Sequence, residues 1–407
     1  VDYKIPASEH PLATRIPKPS NEPAVVGDPD VFSELMRPPK SPTKLADYTT
    51  SDIPQLGLHI VSFTDKTLVT LYWPHTLMDA MGKSAVLEAW GLILQGREEE
   101  VKVPIGAIED PLEELGRYPT EAHKLEHRRL GIWALMSWGM GQLPSLWRKL
   151  ETRMVCVPSS FLDKLRQEAI DELASTQKTA NGERQEEGKP FLSEGDVLCA
   201  WFTRLATAHL PHNSSQTIVL NNAFDIRKRL STPSSAPYIS NAVSFIPVLL
   251  SLGDIREKSL WYTASQIRKA IQELGSREQV ETYQALVRNS RGKMPPFFGN
   301  ANMHMITYSN WSKAKLFDVD FSAAIIGEEG KKRGVAKPVY MQNNQFGLTL
   351  PSGFPVLGKD NEGNYWVSGY MSEGVWKGIE KMLEGEAVGG GWCPGEMGSD
   401  GIWKEGN

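Results

Sequence analysis

The sequence predicts an α/β protein, on three observations. Short β-branched or alternating runs take turns with runs of helical spacing in both halves of the chain. The 407 residues are enough to bury two cores. The longest apolar stretch, Val243 to Leu252, is about half a membrane span and is interrupted by Pro247, so no transmembrane helix is expected.

The elements follow in order. Residues 1–54 are proline-rich from Pro6 to Pro54 and read as an extended, surface-hugging segment. Leu58 to Phe63 and Thr67 to Trp73 are β-rich runs joined by Thr64-Asp65-Lys66, which predicts a hairpin closed by Pro74. Val86, Trp90, Ile93 and Leu94 give helical spacing over 82–94. A charged loop fills 96–128. A Trp- and Met-rich helix then covers Leu130 to Trp147, read as a core or covering helix in preference to a substrate-lining lid or a membrane-surface element. A strand at 153–158, a helix at 159–175, a polar loop at 176–190 and a helix capped by Ser193 with Asp196 at its third position come next. Strands at 217–222 and 241–250, a helix at 256–274 and a strand at 304–309 continue the alternation. Strands at 339–342, 347–351 and 364–370, a helix at 372–383 and a loose glycine-rich tail complete it.

A net charge of −5, with 23% charged and 40% hydrophobic residues, is that of an ordinary globular protein and argues against nucleic acid as the main partner. Three dispersed cysteines, Cys156, Cys199 and Cys393, exclude a disulfide framework and fit a reducing, cytoplasmic compartment. Cys156 and Cys199 sit in apolar runs and read as core, not as nucleophiles. The histidines show no HxH or HExxH spacing, so no metal site is expected. The dinucleotide, P-loop and GxSxG fingerprints are absent.

The sharpest local signal is Tyr72-Trp73-Pro74-His75-Thr76-Leu77-Met78-Asp79-Ala80-Met81-Gly82. An imidazole at a strand exit has a rigid mount and takes a proton from a hydroxyl or amine near neutral pH. Asp79 either bonds that imidazole or holds the loop through an arginine elsewhere.

Further motifs follow. Asp225-Ile226-Arg227-Lys228-Arg229 precedes Tyr238-Ile239-Ser240-Asn241-Ala242-Val243; then come Ser309-Asn310-Trp311 and Asp318-Val319-Asp320-Phe321. HxxxD, DxRxR, YxxNAV, SxW and DVDF in this order resemble the BAHD acyltransferases, and the fungal branch that includes trichothecene acetyltransferases is the most similar. The resemblance covers Val1 to about Leu383. It implies two pseudo-equivalent α/β halves, 1–148 with HxxxD and 149–407 with DxRxR and DVDF, and a channel between them. It implies acyl-CoA as co-substrate, no permanently bound cofactor, a small-molecule alcohol or amine as acceptor, and a monomer.

In that scheme His75 is the general base. Asp79 turns away from the channel to pair with Arg227 or Arg229, and Asp320 is a further motif carboxylate. Ser309 and Asn310 stand where the thioester is held and its oxyanion stabilised. Trp311 and Asn241 line the pocket, and Lys331, Lys332 and Arg333 are candidates for a CoA phosphate. Two departures stand out. The family's DFGWG reads Asp320-Phe321-Ser322-Ala323-Ala324 here, followed by an added segment, 325–336. The strand-helix unit that opens full-length members has no counterpart before Val1, so the natural protein is expected to carry one. The altered loop keeps a repurposed, ligand-binding or cyclising member open as the alternative. A condensation-domain-like enzyme fits less well, with Pro74 in place of the first histidine and Gly82 three residues after Asp79.

Overall fold

The computed structural model describes residues 1–106, 110–146, 148–181, 190–211, 215–230, 236–325, 334–345, 352–387, 396–397 and 403–404. Its centre is a seven-stranded sheet built from Ala24–Gly27 (β1), Leu150–Val157 (β4), Thr217–Asp225 (β5), Val243–Ser251 (β6), His304–Asn310 (β7), Gly353–Lys359 (β8) and Tyr365–Ser372 (β9). The order across the sheet is β1-β4-β9-β8-β7-β5-β6. The pairs β5–β7 and β7–β8 are parallel and the others antiparallel. The strands are apolar on both faces because both are covered. In β4, Val155 and Val157 face one core cluster while Met154 and Cys156 face the other. In β9, Tyr365 and Val367 separate from Trp366 in the same way.

The larger cluster lies under Ser159–Asn181 (α5), Glu194–Thr207 (α6), Leu260–Leu274 (α8) and Val375–Ala387 (α10). These follow two short helical pieces, Ser33–Met36 (α1) and Leu45–Thr49 (α2), then Ala80–Leu94 (α3) and Ile132–Leu146 (α4). The expected capping box is formed. The Ser193 hydroxyl accepts from the Asp196 amide at 3.2 Å, and Asp196 accepts from the Ser193 amide at 2.7 Å.

The hairpin Gly57–Ser62 (β2) and Thr67–Tyr72 (β3) pairs in register from Gly57↔Tyr72 to Ser62↔Thr67. The N-terminal residues run beside it, with Tyr3 N donating to Ser62 O at 2.8 Å and Ser62 N to Val1 O at 2.9 Å. Phe63 and Val61 join Phe32 and Leu35 in a small satellite core.

Three expectations change. The proline-rich segment contributes β1, an edge strand paired with β4 across the expected division at 148. The single helix at 256–274 is two, Leu252–Glu257 (α7) and α8, and Arg277–Asn289 (α9) adds a third. Residues 339–342 form no strand: among the described residues no strand pairs with them, and Tyr340 instead packs its ring on Trp366 at 5.2 Å while Gln342 bonds the Pro29 carbonyl. The strand expected at 347–351 lies outside the described residues, and β8 begins at Gly353.

Candidate active site

β3 ends at Tyr72, and the chain turns back through residues 75–77, with Leu77 N donating to Pro74 O at 2.9 Å. Trp73 Nε1 donates to Met78 O at 3.0 Å and closes the loop from outside. His75 rides on this turn with an exposed side chain, and among the described residues its ring has no hydrogen-bond partner. Its carbonyl is fixed from across the sequence by Asn241 Nδ2 at 2.7 Å.

Asp79 is buried at 4% exposure and caps α3. Its Oδ1 accepts from Met81 N at 3.0 Å, Gly82 N at 2.9 Å and Arg227 Nη2 at 2.8 Å, and its Oδ2 accepts from Ala242 N at 2.9 Å. The carboxylate is thereby turned into the protein and away from the imidazole. Arg227 also holds Asp225 at 2.8 Å and the carbonyls of Tyr238 and Ser240. Arg229, the other candidate partner, instead donates to Gly275 O at 2.8 Å and lies over the Phe224 ring. Gly82 is required by close approach: a β-carbon there would stand 1.8 Å from Ile239 O. Three motifs, 75–82 and, from the other half of the chain, 225–229 and 238–242, thus interlock around one carboxylate.

The opposite wall comes from the end of β7. Trp311 Nε1 donates to Ser309 Oγ at 2.8 Å, and Asn310 Oδ1 accepts from Ser312 N at 2.9 Å. Ser84 Oγ of α3 donates to Ala314 O at 2.6 Å, so α3 and the β7 exit are joined directly. His75, Asn241, Ser309, Asn310 and Trp311 all line one cleft of about 2940 Å³.

Lys83 lines it too, and sequence reasoning missed it. Its ammonium lies 4.3 Å from the Trp311 ring centroid and 5.7 Å from that of Trp73. No carboxylate pairs with it among the described residues, and burial pulls its pKa down to about 8. A lysine one turn into a helix reads as solvated surface; only the two tryptophans, 238 residues apart, reveal the enclosure.

Asp320, expected with the catalytic residues, stands elsewhere. It is exposed, is not part of the cleft lining, and accepts from Ser322 N at 2.8 Å to cap the turn 322–324. The Ser322 hydroxyl and amide hold its carboxyl below the usual range. Lys331, Lys332 and Arg333 lie outside the described residues. Cys156 and Cys199 are both buried, and burial raises both thiols, which suits core positions. Among the described residues no helix is long and apolar enough to cross a membrane.

The family model described as "Transferase family" matches residues 25–324. A Penicillium decumbens protein named "Transcriptional regulator calD" is 40% identical over 401 residues, covering 95% of this chain and 80% of its own. A Penicillium roqueforti protein named "Acetyltransferase adrJ" is 35% identical, covering 92% and 77%. Among solved structures, Fusarium sporotrichioides TRI101 in complex with coenzyme A and T-2 superposes with a TM-score of 0.59 at 17% identity, covering 89% of this chain and 73% of that one. That likeness shows the fold, and the mixed seven-stranded sheet with its flanking helices agrees with it. The match over 300 residues, the fungal acetyltransferase relatives and the shared fold lead to one assignment: the chain is an acyltransferase of the BAHD-type transferase family, in its fungal branch.

Proposed function

We propose that the protein transfers an acyl group from acyl-CoA to a hydroxyl, or an amine, of a small secondary metabolite, with His75 as general base. The observation that carries this reading is His75 itself: an unpartnered imidazole on a loop whose neighbouring carboxylate is fully engaged, opening on a cleft shared with Ser309, Asn310 and Trp311. The cleft is several-fold larger than the roughly 300–1,000 Å³ of a site closed on one small molecule, and so has room for a donor and an acceptor. Relatives named acetyltransferase and O-acyltransferase support the reaction class, and a fold neighbour was crystallised with coenzyme A.

The chemistry follows from these parts. His75 removes the acceptor proton as its oxygen or nitrogen attacks the thioester carbonyl. The C=O π pair moves onto oxygen, forming a tetrahedral oxyanion. Donors at the β7 exit and the positive Lys83 favour that charge. The oxyanion then collapses, the C–S bond breaks, and the CoA thiolate takes the proton from the imidazolium. Asp79 and Arg227 act on this sequence only by fixing where His75 stands.

The test is acceptor-dependent thiol release from a panel of acyl-CoAs, run on wild type and His75→Ala with pooled apolar alcohols. A loss of at least ~100-fold in the variant is expected for removal of a general base. Release that is unchanged in His75→Ala rejects His75 as base. Absence of release with any CoA rejects the CoA-dependent reaction and favours the repurposed reading.

A further inference from the structure

Helix α4 carries no charged side chain in its 15 residues. Its inner side is anchored by Trp138, which is buried, donates from Nε1 to Met303 O at 3.2 Å and packs on Phe297 at 5.1 Å. The outer side is apolar as well. Ile132, Trp133, Met136, Met140 and Leu143 are all exposed, Trp133 at 78% and Met140 at 62%. At 3.6 residues per turn these five fall within an arc of about 100°, a continuous stripe about 17 Å long. An ordinary surface helix places polar residues there.

Charge brackets the stripe. Residues 124–149 hold Lys124, Arg128, Arg129, Arg148 and Lys149 against Glu126 alone, in a chain whose net charge is −5. Lys124, Arg129, Arg148 and Lys149 are exposed. Glu126 spends itself on Arg129 at 2.7 Å. A second segment lies beside the start of α4. Leu130 N donates to Phe297 O at 2.8 Å and Gly299 N to Arg128 O at 2.8 Å, which sets the loop before Phe297 against the start of α4. That loop exposes Arg291, Lys293 and Met294, two more cations and one more large apolar side chain.

We propose that α4, through its outward stripe and basic flanks, docks this protein onto an anionic lipid surface. A helix lying in the interface buries an apolar stripe with Trp at headgroup depth, and cations at both ends meet the lipid phosphates and carboxylates. The basic flanks select the lipid: a second copy of the chain would bring the same cations to the contact and repel them. The docking is peripheral, and it is independent of whether His75 is the base.

The experiment is flotation of the full chain with vesicles of phosphatidylcholine, with and without phosphatidylserine, at low and high salt. Binding to the phosphatidylserine vesicles that weakens with salt is expected. Trp133→Asp combined with Met140→Asp should lose about 100-fold in partitioning, since two large apolar side chains leave the bilayer. Arg148→Glu combined with Lys149→Glu should lose at least about twentyfold on the anionic vesicles, at about fivefold per basic residue. Melting curves matching wild type establish that both variants are folded. No flotation of wild type with anionic vesicles overturns the proposal, as does flotation indifferent to the Trp133 and Met140 substitutions. A vesicle-free dimer dispersed by those same substitutions, without lipid binding, overturns it in favour of a second copy.

Discussion

Asp79 is where the fold and the candidate chemistry meet, and its replacement separates two costs. In Asp79→Ala the α3 cap disappears, at about 1 kcal/mol. Ala242, itself fully buried, keeps an N–H with no acceptor, at about 1–3 kcal/mol. Arg227 is not stranded, because Asp225 and two carbonyls still hold it. The penalty of about 3–5 kcal/mol for orphaning a buried charge therefore does not apply in full. A loss of about 2–4 kcal/mol follows, read as a shift in urea midpoint at constant slope. Asp79→Asn can keep its oxygen toward Met81, Gly82 and Arg227 and turn its amide against the Ala242 N–H, so about 1–3 kcal/mol is expected. The two variants should also lose turnover below their melting temperatures in the same order, with donor KM little changed. An alanine variant within about 1 kcal/mol of wild type, or no more costly than the asparagine, would refute the account of how this loop is held.

Gly82→Ala forces a methyl group onto Ile239 O and should cost about 1–3 kcal/mol while lowering turnover, as the 238–242 segment is pushed off the His75 carbonyl; a neutral result in melting and rate would contradict the close approach. Lys83 has its folded pKa lowered from 10.5 to about 8, so its charge is penalised below pH 8 and the penalty is relieved between about 8 and 10.5. Lys83→Met should be more stable than wild type at pH 7, by up to about 3 kcal/mol less the lost cation–π contacts, with the gap closing by pH 10 while acyl transfer falls. A gap that ignores pH would count against it. Burial lowers His123 and His304 to about 4 and His209 to about 3. The unfolded chain then binds more protons below pH 6.5, so stability should fall from there toward pH 4. That amounts to about 2 kcal/mol per histidine by pH 5, and the slope should shrink in His123→Phe. A flat profile from pH 7 to 5 would be the contrary result.

The alternation of periods was sufficient for the class, and motif order was sufficient to bring residues 75–82 and 225–242 together. What the linear pattern lacked is local geometry. Arg227 and Arg229 look equivalent two residues apart, yet on the 3-10 turn 227–229 they point about 120° apart, and only Arg227 meets Asp79. Ala24–Gly27 is too short to alternate visibly, and its strand character comes from β4 beside it. Val339 and Tyr340 carry β-formers but lack a partner strand. Lys83 is defined by rings from two distant segments, and the outward stripe of α4 could not be told from its inward one until Trp138 fixed the rotation. Asp320 shared a motif's letters without the glycine and tryptophan that shape its loop, and it faces solvent.

The strand order has a consequence for how the chain is made. The middle of the sheet, β9 and β8, is the last part to be synthesised, while β1, at the rim, is the first. At about 5–20 residues per second, roughly 20–70 s separate the emergence of Gly27 from that of Ser372. Throughout that interval β4 has no neighbour but β1, and the apolar faces of β5, β6 and β7 stand open on the side where β8 belongs. Assembly cannot run from the N-terminus forward; it closes on the final strands. A nascent chain of this protein thus keeps unpaired strand edges until residues 353–372 appear, and a ribosome that stops before residue 353 releases two sheet fragments with no seam to join them.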